Sequence, residues 1–313
     1  MFFTNQAILT YKPEVTYGVA PSGDYIPLKV LADPSWTPQA GDTVEDSLIL
    51  PYPTGNRQVN IRRHQTFTFQ VQHSSSGTAG TAANYAGLLP ACRVSEALSP
   101  TTSATYTPAA STASSVTLRW SMIKADGTAS LVHEMRGARG NVSATFNNDE
   151  HGTIQFAMTG LYGVPTDGAG FSSTSYTNQA NSFPLQSGSA TVTLNSVAVC
   201  LQSFEFDAGN EVIFTSRAGC SPQVLITDSK PSGSITIEQK TMAAQDLAVL
   251  STSGLTYPIS VLNSAGGAGN TQAINIAAAS FGLPSYSAGN DKLLLRTLPF
   301  TATGATPWSI VHT

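Results

Sequence analysis

The sequence predicts a mainly β protein made of two tandem, similar β-sandwich or barrel domains, each with one flanking helix. Three observations carry that prediction. Apolar and polar residues alternate at period two along most of the chain, the signature of antiparallel strands with one buried face. Charged residues make up only 11% of the 313, less than half of the roughly 25% usual in a soluble domain, and Thr, Ser, Ala, Asn and Gln stand in their place. Two stretches also repeat at a fixed spacing: Ala40-Gly41-Asp42-Thr43-Val44 followed by Thr66-Phe67-Thr68-Phe69, and Ala208-Gly209-Asn210-Glu211-Val212 followed by Ser234-Ile235-Thr236-Ile237. Gly41 and Gly209 lie 168 residues apart (209 − 41), as do Phe67 and Ile235 (235 − 67). A spacing held across an intervening loop marks two copies of one supersecondary unit.

The first domain is expected over 1–163. Phe67, Phe69 and Val71 share one face of a strand, as do Val116, Leu118, Trp120 and Met122, and then Ile154, Phe156 and Met158. Tyr85, Leu88, Leu89 and Cys92 fall at helical spacing with Asn84 as candidate N-cap, and Pro90 makes that helix short or kinked. A Thr/Ala-rich insertion occupies Thr101–Ser114. Residues 164–186 read as a linker rich in Ser, Thr, Asn and Gly that strand patterning does not enter. The second domain is expected over 187–313, with strands through Val192 and Leu194 and through Ile274 and Ile276. Its helix is expected over Thr241–Ser253, with Ala243, Leu247 and Leu250 on one stripe and Gly254 as the stop. Each copy carries a long excursion, Asp42–Asn60 and Asn210–Leu225. The runs Leu48-Ile49-Leu50 and Val212-Ile213-Phe214 are too apolar to stay in solvent and are expected to dock, because loops of this length are usually functional.

Composition narrows the function. A net charge of −4 argues against a dedicated nucleic-acid binder, which would carry a basic patch. The depletion of charge fits a surface occluded by neighbouring subunits, where unpaired charge is costly to bury. Cys92, Cys200 and Cys220 are odd in number and lack CxxC spacing, so buried free thiols in a reducing compartment are expected. The first residues lack an export signal and no run reaches the roughly 18 apolar residues of a membrane span, which predicts a soluble chain without a membrane partner.

No catalytic constellation emerges. The five histidines never take HExxH spacing, and no nucleophile elbow, Walker loop or dinucleotide fingerprint is present. Asp149-Glu150-His151, flanked by Asn147-Asn148 and Gly152, reads as a polar hairpin turn in preference to a metal cluster. Gly266-Gly267-Ala268-Gly269-Asn270 lacks the Lys and helix of a phosphate site. Arg62, Arg63 and His64 form the densest positive cluster, with Arg136 and Arg139 next. Intersubunit pairing with Asp42, Glu45 or Glu211 explains them better than contact with DNA. The chain is therefore read as no enzyme, with no cofactor and no metal.

Several strings resemble those of tail tube proteins (major tail proteins) of bacteriophages with long non-contractile tails. They are Gly41-Asp42-Thr43-Val44-Glu45, Arg136-Gly137-Ala138-Arg139-Gly140-Asn141-Val142-Ser143, Thr159-Gly160-Leu161-Tyr162-Gly163-Val164-Pro165-Thr166-Asp167, Asp207-Ala208-Gly209-Asn210-Glu211-Val212, and Val224 to Gly233. The resemblance implies a β-sandwich or barrel with a flanking helix, and inner strands that join across neighbours into one barrel around a lumen. It implies stacked rings, long loops reaching between rings through Leu48, Ile49, Leu50, Val212, Ile213 and Phe214, and a place in the virion tail after assembly in the host cytoplasm. The implied partners are further copies of the chain, a tape-measure protein, a tail terminator and distal tail proteins, with DNA passing through unbound. Six tube domains per ring, two in each chain, imply trimeric, pseudo-hexameric rings. Two other classes compete: a receptor- or carbohydrate-binding β-module, which should show clustered exposed aromatics, and another tail component such as a terminator or distal ring protein.

Overall fold

The computed structural model describes the chain except residues 1, 50, 53, 111–112, 170–174, 242–246 and 290, with the backbone alone at 2–5. The first half contains β1 (Phe2–Pro13), β2 (Ile26–Leu28), β3 (Ser35–Glu45), β4 (Gln58–Gln72), a 3-10 helix (Ala86–Cys92), β5 (Val94–Ser99), β6 (Ser103–Pro108), β7 (Val116–Lys124), β8 (Ala129–Asn147), β9 (Thr153–Leu161) and β10 (Thr166–Ala169). The second contains β11 (Ala190–Leu194), β12 (Val197–Ala198), β13 (Leu201–Asp207), β14 (Asn210–Thr215), β15 (Gln223–Ser229), β16 (Ser232–Glu238), α1 (Ala248–Thr252), β17 (Tyr257–Asn263), β18 (Gln272–Phe281), β19 (Ser285–Ala288), β20 (Leu294–Ala302) and β21 (Trp308–His312). The chain is mainly β, as its alternation predicts.

All the ladders are antiparallel, and the second half repeats the pairings of the first. In the first, β2, β1, β7, β8 and β10 lie side by side, and β3, β4, β9 and β8 form the other layer. In the second, β12, β11, β17, β18 and β21 lie side by side, and β13, β16, β20 and β18 form the other layer. The long strand β8 serves both layers, turning where its register with β9 shifts between Arg136 and Arg139.

The halves do not stand apart. Strand β8 pairs with β13, Ser143 opposite Asp207 and Phe146 opposite Phe204. At the other side β21 pairs with β6, Ile310 opposite Tyr106. A sheet in the order β3-β4-β9-β8-β13-β16-β20 therefore runs through both halves. Phe67, Phe69, Phe156, Val142, Phe204, Ile235 and Leu298 sit on its buried face, and most of the buried apolar residues form a single cluster across both halves.

Two expectations are corrected, the strandless linker and the capped first helix, and two other segments gain definition. The Thr101–Ser114 insertion supplies β6, the strand that receives β21. The stretch read as a strandless linker contains β10, which pairs with β8 from Thr166↔Val132 to Ala169↔Ala129; its short Thr-Asp-Gly-Ala sequence has no apolar face to announce it. The first helix is a 3-10 turn around Pro90, and Asn84 does not cap it: the Asn84 amide donates to the carbonyl of Thr177 at 2.7 Å. Of the second helix the described residues show Ala248–Thr252, with Leu247 and Leu250 buried and Ala243 outside the described residues.

Candidate assembly surface

The two long excursions are not loops but ribbons, which corrects the reading of both. Asp42–Glu45 pairs with Gln58–Ile61, so β3 and β4 extend beyond the sheet as a first arm with its tip at 46–57. Strands β14 and β15, paired from Asn210↔Ser229 to Thr215↔Gln223, form the second. Both bend at the repeated glycine. A Cβ on Gly41 would lie 2.6 Å from the Ile61 carbonyl oxygen and 3.2 Å from that of Arg62, and one on Gly209 would lie 2.1 Å from that of Lys230. Arg62 and Lys230 are themselves 168 residues apart (230 − 62). Backbone approach this close excludes any side chain, which is why glycine recurs there.

The second arm lies on its own chain. Val224 is fully buried: its carbonyl accepts from the Arg139 guanidinium at 2.7 Å and its N–H donates to the Tyr17 hydroxyl at 2.7 Å. Phe214 is 8% exposed and its ring stacks on His64 at 4.8 Å. At the root, the Asn141 amide donates to Asp207, and the Asn141 side-chain oxygen accepts from the N–H of Asn210 at 2.9 Å. The Asn210 amide donates in turn to the carbonyls of Cys92 and Gly140.

The first arm stands clear of its own chain over Asp42–Val44. Val44 is 49% exposed, Ile61 39%, and Ile49 fully. The six expected contact residues thus divide. Phe214 is spent inside the chain, Val212 is half-buried, Ile213 is partly exposed, Leu48 and Ile49 are exposed at the tip of the first arm, and Leu50 lies outside the described residues.

The basic cluster also has partners within its own chain. Arg62 pairs with Asp42 at 3.0 Å in its own hairpin and donates to the carbonyl of Phe214, and Arg63 lies over the Tyr162 ring. Glu134 accepts from both Arg119 and Arg136; burial raises its pKa, but these two hydrogen-bonded guanidinium groups outweigh burial and bring it below the usual carboxylate range. Asp149–His151 is the turn of the β8–β9 hairpin. Among the cysteines only Cys92 is buried; Cys200 and Cys220 are free and exposed, against the expectation.

The continuous sheet turns its other face outward. From β4 to β20 its outward positions are mostly Thr, Ser, Gln and Asn, such as Thr68, Gln155, Thr145, Ser234 and Thr297, with Ala157, Leu295 and Pro299 among them. Glu205, Asp207 and Glu238 are the charges between Thr66 and Gln72, Asn141 and Asn147, Thr153 and Thr159, Ser203 and Asp207, Ser232 and Glu238, and Leu295 and Thr301. No Lys or Arg occupies an outward position over the same spans. A groove of about 610 Å³ lies on this face where the halves join, lined by Thr145, Glu205, Ser234 and Thr301 among others. The sheet ends at two unpaired edges among the described residues: β3 pairs only with β4, and β19 only with β20.

A β-sheet with a neutral-to-acidic face, open ends and projecting arms is built to continue into other copies. The family model described as phage tail tube protein matches residues 4–302. The chain belongs to the phage tail tube protein family. It is a structural component of the tail, a virion protein that self-assembles into a tube. No curated protein matches its sequence. As a tail tube chain it carries two features that sequence reasoning missed, the free edges of β3 and β19. Neither has a local signal, because an edge is defined by what fails to pair with it.

Proposed function

We propose that three chains join head to tail into a ring of six tube units, and that rings stack into the tube of a long non-contractile tail through which the genome is delivered. The observation that carries this reading is the β8–β13 ladder. It makes one chain two units wide along a single sheet, so each chain supplies two sixths of a barrel wall and every second joint is covalently fixed. The outward face of that sheet is taken as the lumen wall. A wall that DNA crosses must not hold phosphate, since each Lys or Arg contact strengthens binding through counterion release; a mostly neutral face whose few charges are carboxylates meets that need. The tape-measure protein occupies the lumen during assembly in the host cytoplasm, and terminator and distal tail proteins close the tube's ends. The first arm reaches onto a neighbouring subunit, and Leu48 and Ile49 at its tip extend across rings.

Electron-microscopy reconstruction of the assembled protein tests this directly. The expected result is stacked rings of three chains with pseudo-sixfold walls. Six chains per ring, each giving one unit to the wall, would overturn it.

A further inference from the structure

The joint between the halves has a built partner, whereas its equivalent at the chain's two ends has none. The pairings fix the correspondence. Phe67 faces Met158 in the first half, and its repeat partner Ile235 faces Leu298 in the second. Ala157 therefore corresponds to Thr297. Their neighbours across the next ladder are Asn141 and Ser285, so Ser143 corresponds to Ser287. At the other side of the joint, Asp207 stands two residues before Gly209 as Gln39 stands two before Gly41. The observed joint sets Asp207 opposite Ser143; the equivalent pair is Gln39 and Ser287.

Both are exposed, on the unpaired edges of β3 and β19. The covering strand's absence also shows in the side chains. Val142 is 2% exposed, and its counterpart Tyr286 is 58% exposed, with Leu283 and Leu294 open beside it. The outer edge of β3 over Ser35–Gln39 has no charged residue to discourage pairing. Pro38 sits at its bulge, where an edge strand tolerates proline.

Resting on the ring reading above, we infer that the contact between chains repeats the joint within the chain. Strand β3 of one copy adds to β19 of the next with Gln39 opposite Ser287, and the first arm lies across the second half of that neighbour as the second arm lies across β8 and β9. The occupant of the Leu283–Tyr286–Leu294 patch is thus a second copy of this chain, its β3 strand and arm.

The test is a disulfide pair in assembled protein carrying Cys200→Ser and Cys220→Ser. Residues opposite each other on antiparallel strands have Cα atoms about 4.5–5.5 Å apart, within the range a disulfide spans. Gln39→Cys with Ser287→Cys should, on oxidation, move most of the protein to closed three-chain species on a non-reducing denaturing gel. Glu205→Cys with Thr145→Cys, across the observed joint, should oxidise within single chains and serves as the control. Tubes that form and oxidise at the control pair, yet stay single-chain at 39 and 287, would overturn this register and leave the tube reading standing. Protein that melts normally but never forms tubes, with or without the cysteines, would overturn both. A second variant, Leu283→Lys, at a residue 89% exposed in the single chain, should melt as the parent does and remain monomeric; tubes as abundant as the parent's would also overturn the inference.

Discussion

The second arm rests on its own chain with Phe214 and Val224 buried, whereas the first carries Val44 and Ile61 into solvent. The two ribbons share their root: a glycine pressed against the backbone of the facing strand, at positions one repeat apart. What differs is the neighbour. The first half stands where the second arm falls, while nothing of this chain stands where the first arm falls. Burying one Val or Ile fully contributes roughly 1.5–3 kcal/mol, so Val44, Leu48, Ile49 and Ile61, partly covered, hold several kcal/mol in reserve. Association costs an estimated 4–15 kcal/mol. The arm alone therefore roughly offsets that cost, and stable assembly needs the sheet edge as well.

The largest effect expected is on the free arm. Replacing 46–57 by a two-residue Asn-Gly turn should leave the thermal melt of the monomer unchanged and abolish tubes in electron micrographs, because the described residues of that segment are mostly exposed. Tubes of normal length would show the first arm to be ornament, and the contrast between the arms would lose its meaning.

The next test sharpens the contrast energetically. Phe214→Ala removes a buried ring from its stack on His64 and should cost about 3 kcal/mol of monomer stability, the low end for a buried Phe. Val44→Ala in the first arm should change it by less than about 0.5 kcal/mol, as exposed substitutions do. Chemical denaturation of both variants under non-assembling conditions measures the difference. Equal losses would mean that the first arm is packed in the monomer after all.

The strands of the core were legible because burial on one face writes a period of two into the sequence, as in Phe67-Thr68-Phe69 and Ile154-Gln155-Phe156. The repeat was legible because a backbone contact at Gly41 and Gly209 tolerates only glycine. The arms were not read as ribbons. Asp42-Thr43-Val44-Glu45 has a single apolar residue and so no alternation, and its ladder is made by backbone groups that any residue supplies. Nor did Phe214 reveal where it docks: its partner His64 is 150 residues earlier in the chain (214 − 64), and only the pairing of β8 with β13 brings them together. Phe214 and Ile49 look alike as apolar residues in long excursions, yet one is buried and one is bare. Sequence marks such residues as sticky; it does not say which surface they meet.

The last test separates the two joints by pH. Where the C-terminal strand meets the first half, His312 and His73 are fully enclosed with their Nε2 atoms 3.2 Å apart, and Tyr85, Tyr106 and Phe146 face them. Burial lowers the pKa of His312 to about 3, and burial with the neighbouring His312 lowers that of His73 well below 6.5. Both rings are therefore neutral in the folded chain, while in the unfolded chain they bind protons below about 6.5. The unfolded state gains protons first, so stability is fully present above pH 6.5 and falls as pH drops toward the folded value, by about 1.4 kcal/mol per pH unit for each histidine. The position equivalent to His73 in the second half is Thr241 (73 + 168), so the joint between chains carries no copy of this pair. Denaturant midpoints of the monomer should fall between pH 6 and 4, and His312→Phe should flatten that slope by one proton's worth. A slope unchanged in the variant would place the acid sensitivity elsewhere, in the carboxylates such as Glu134 that are held low by their arginines.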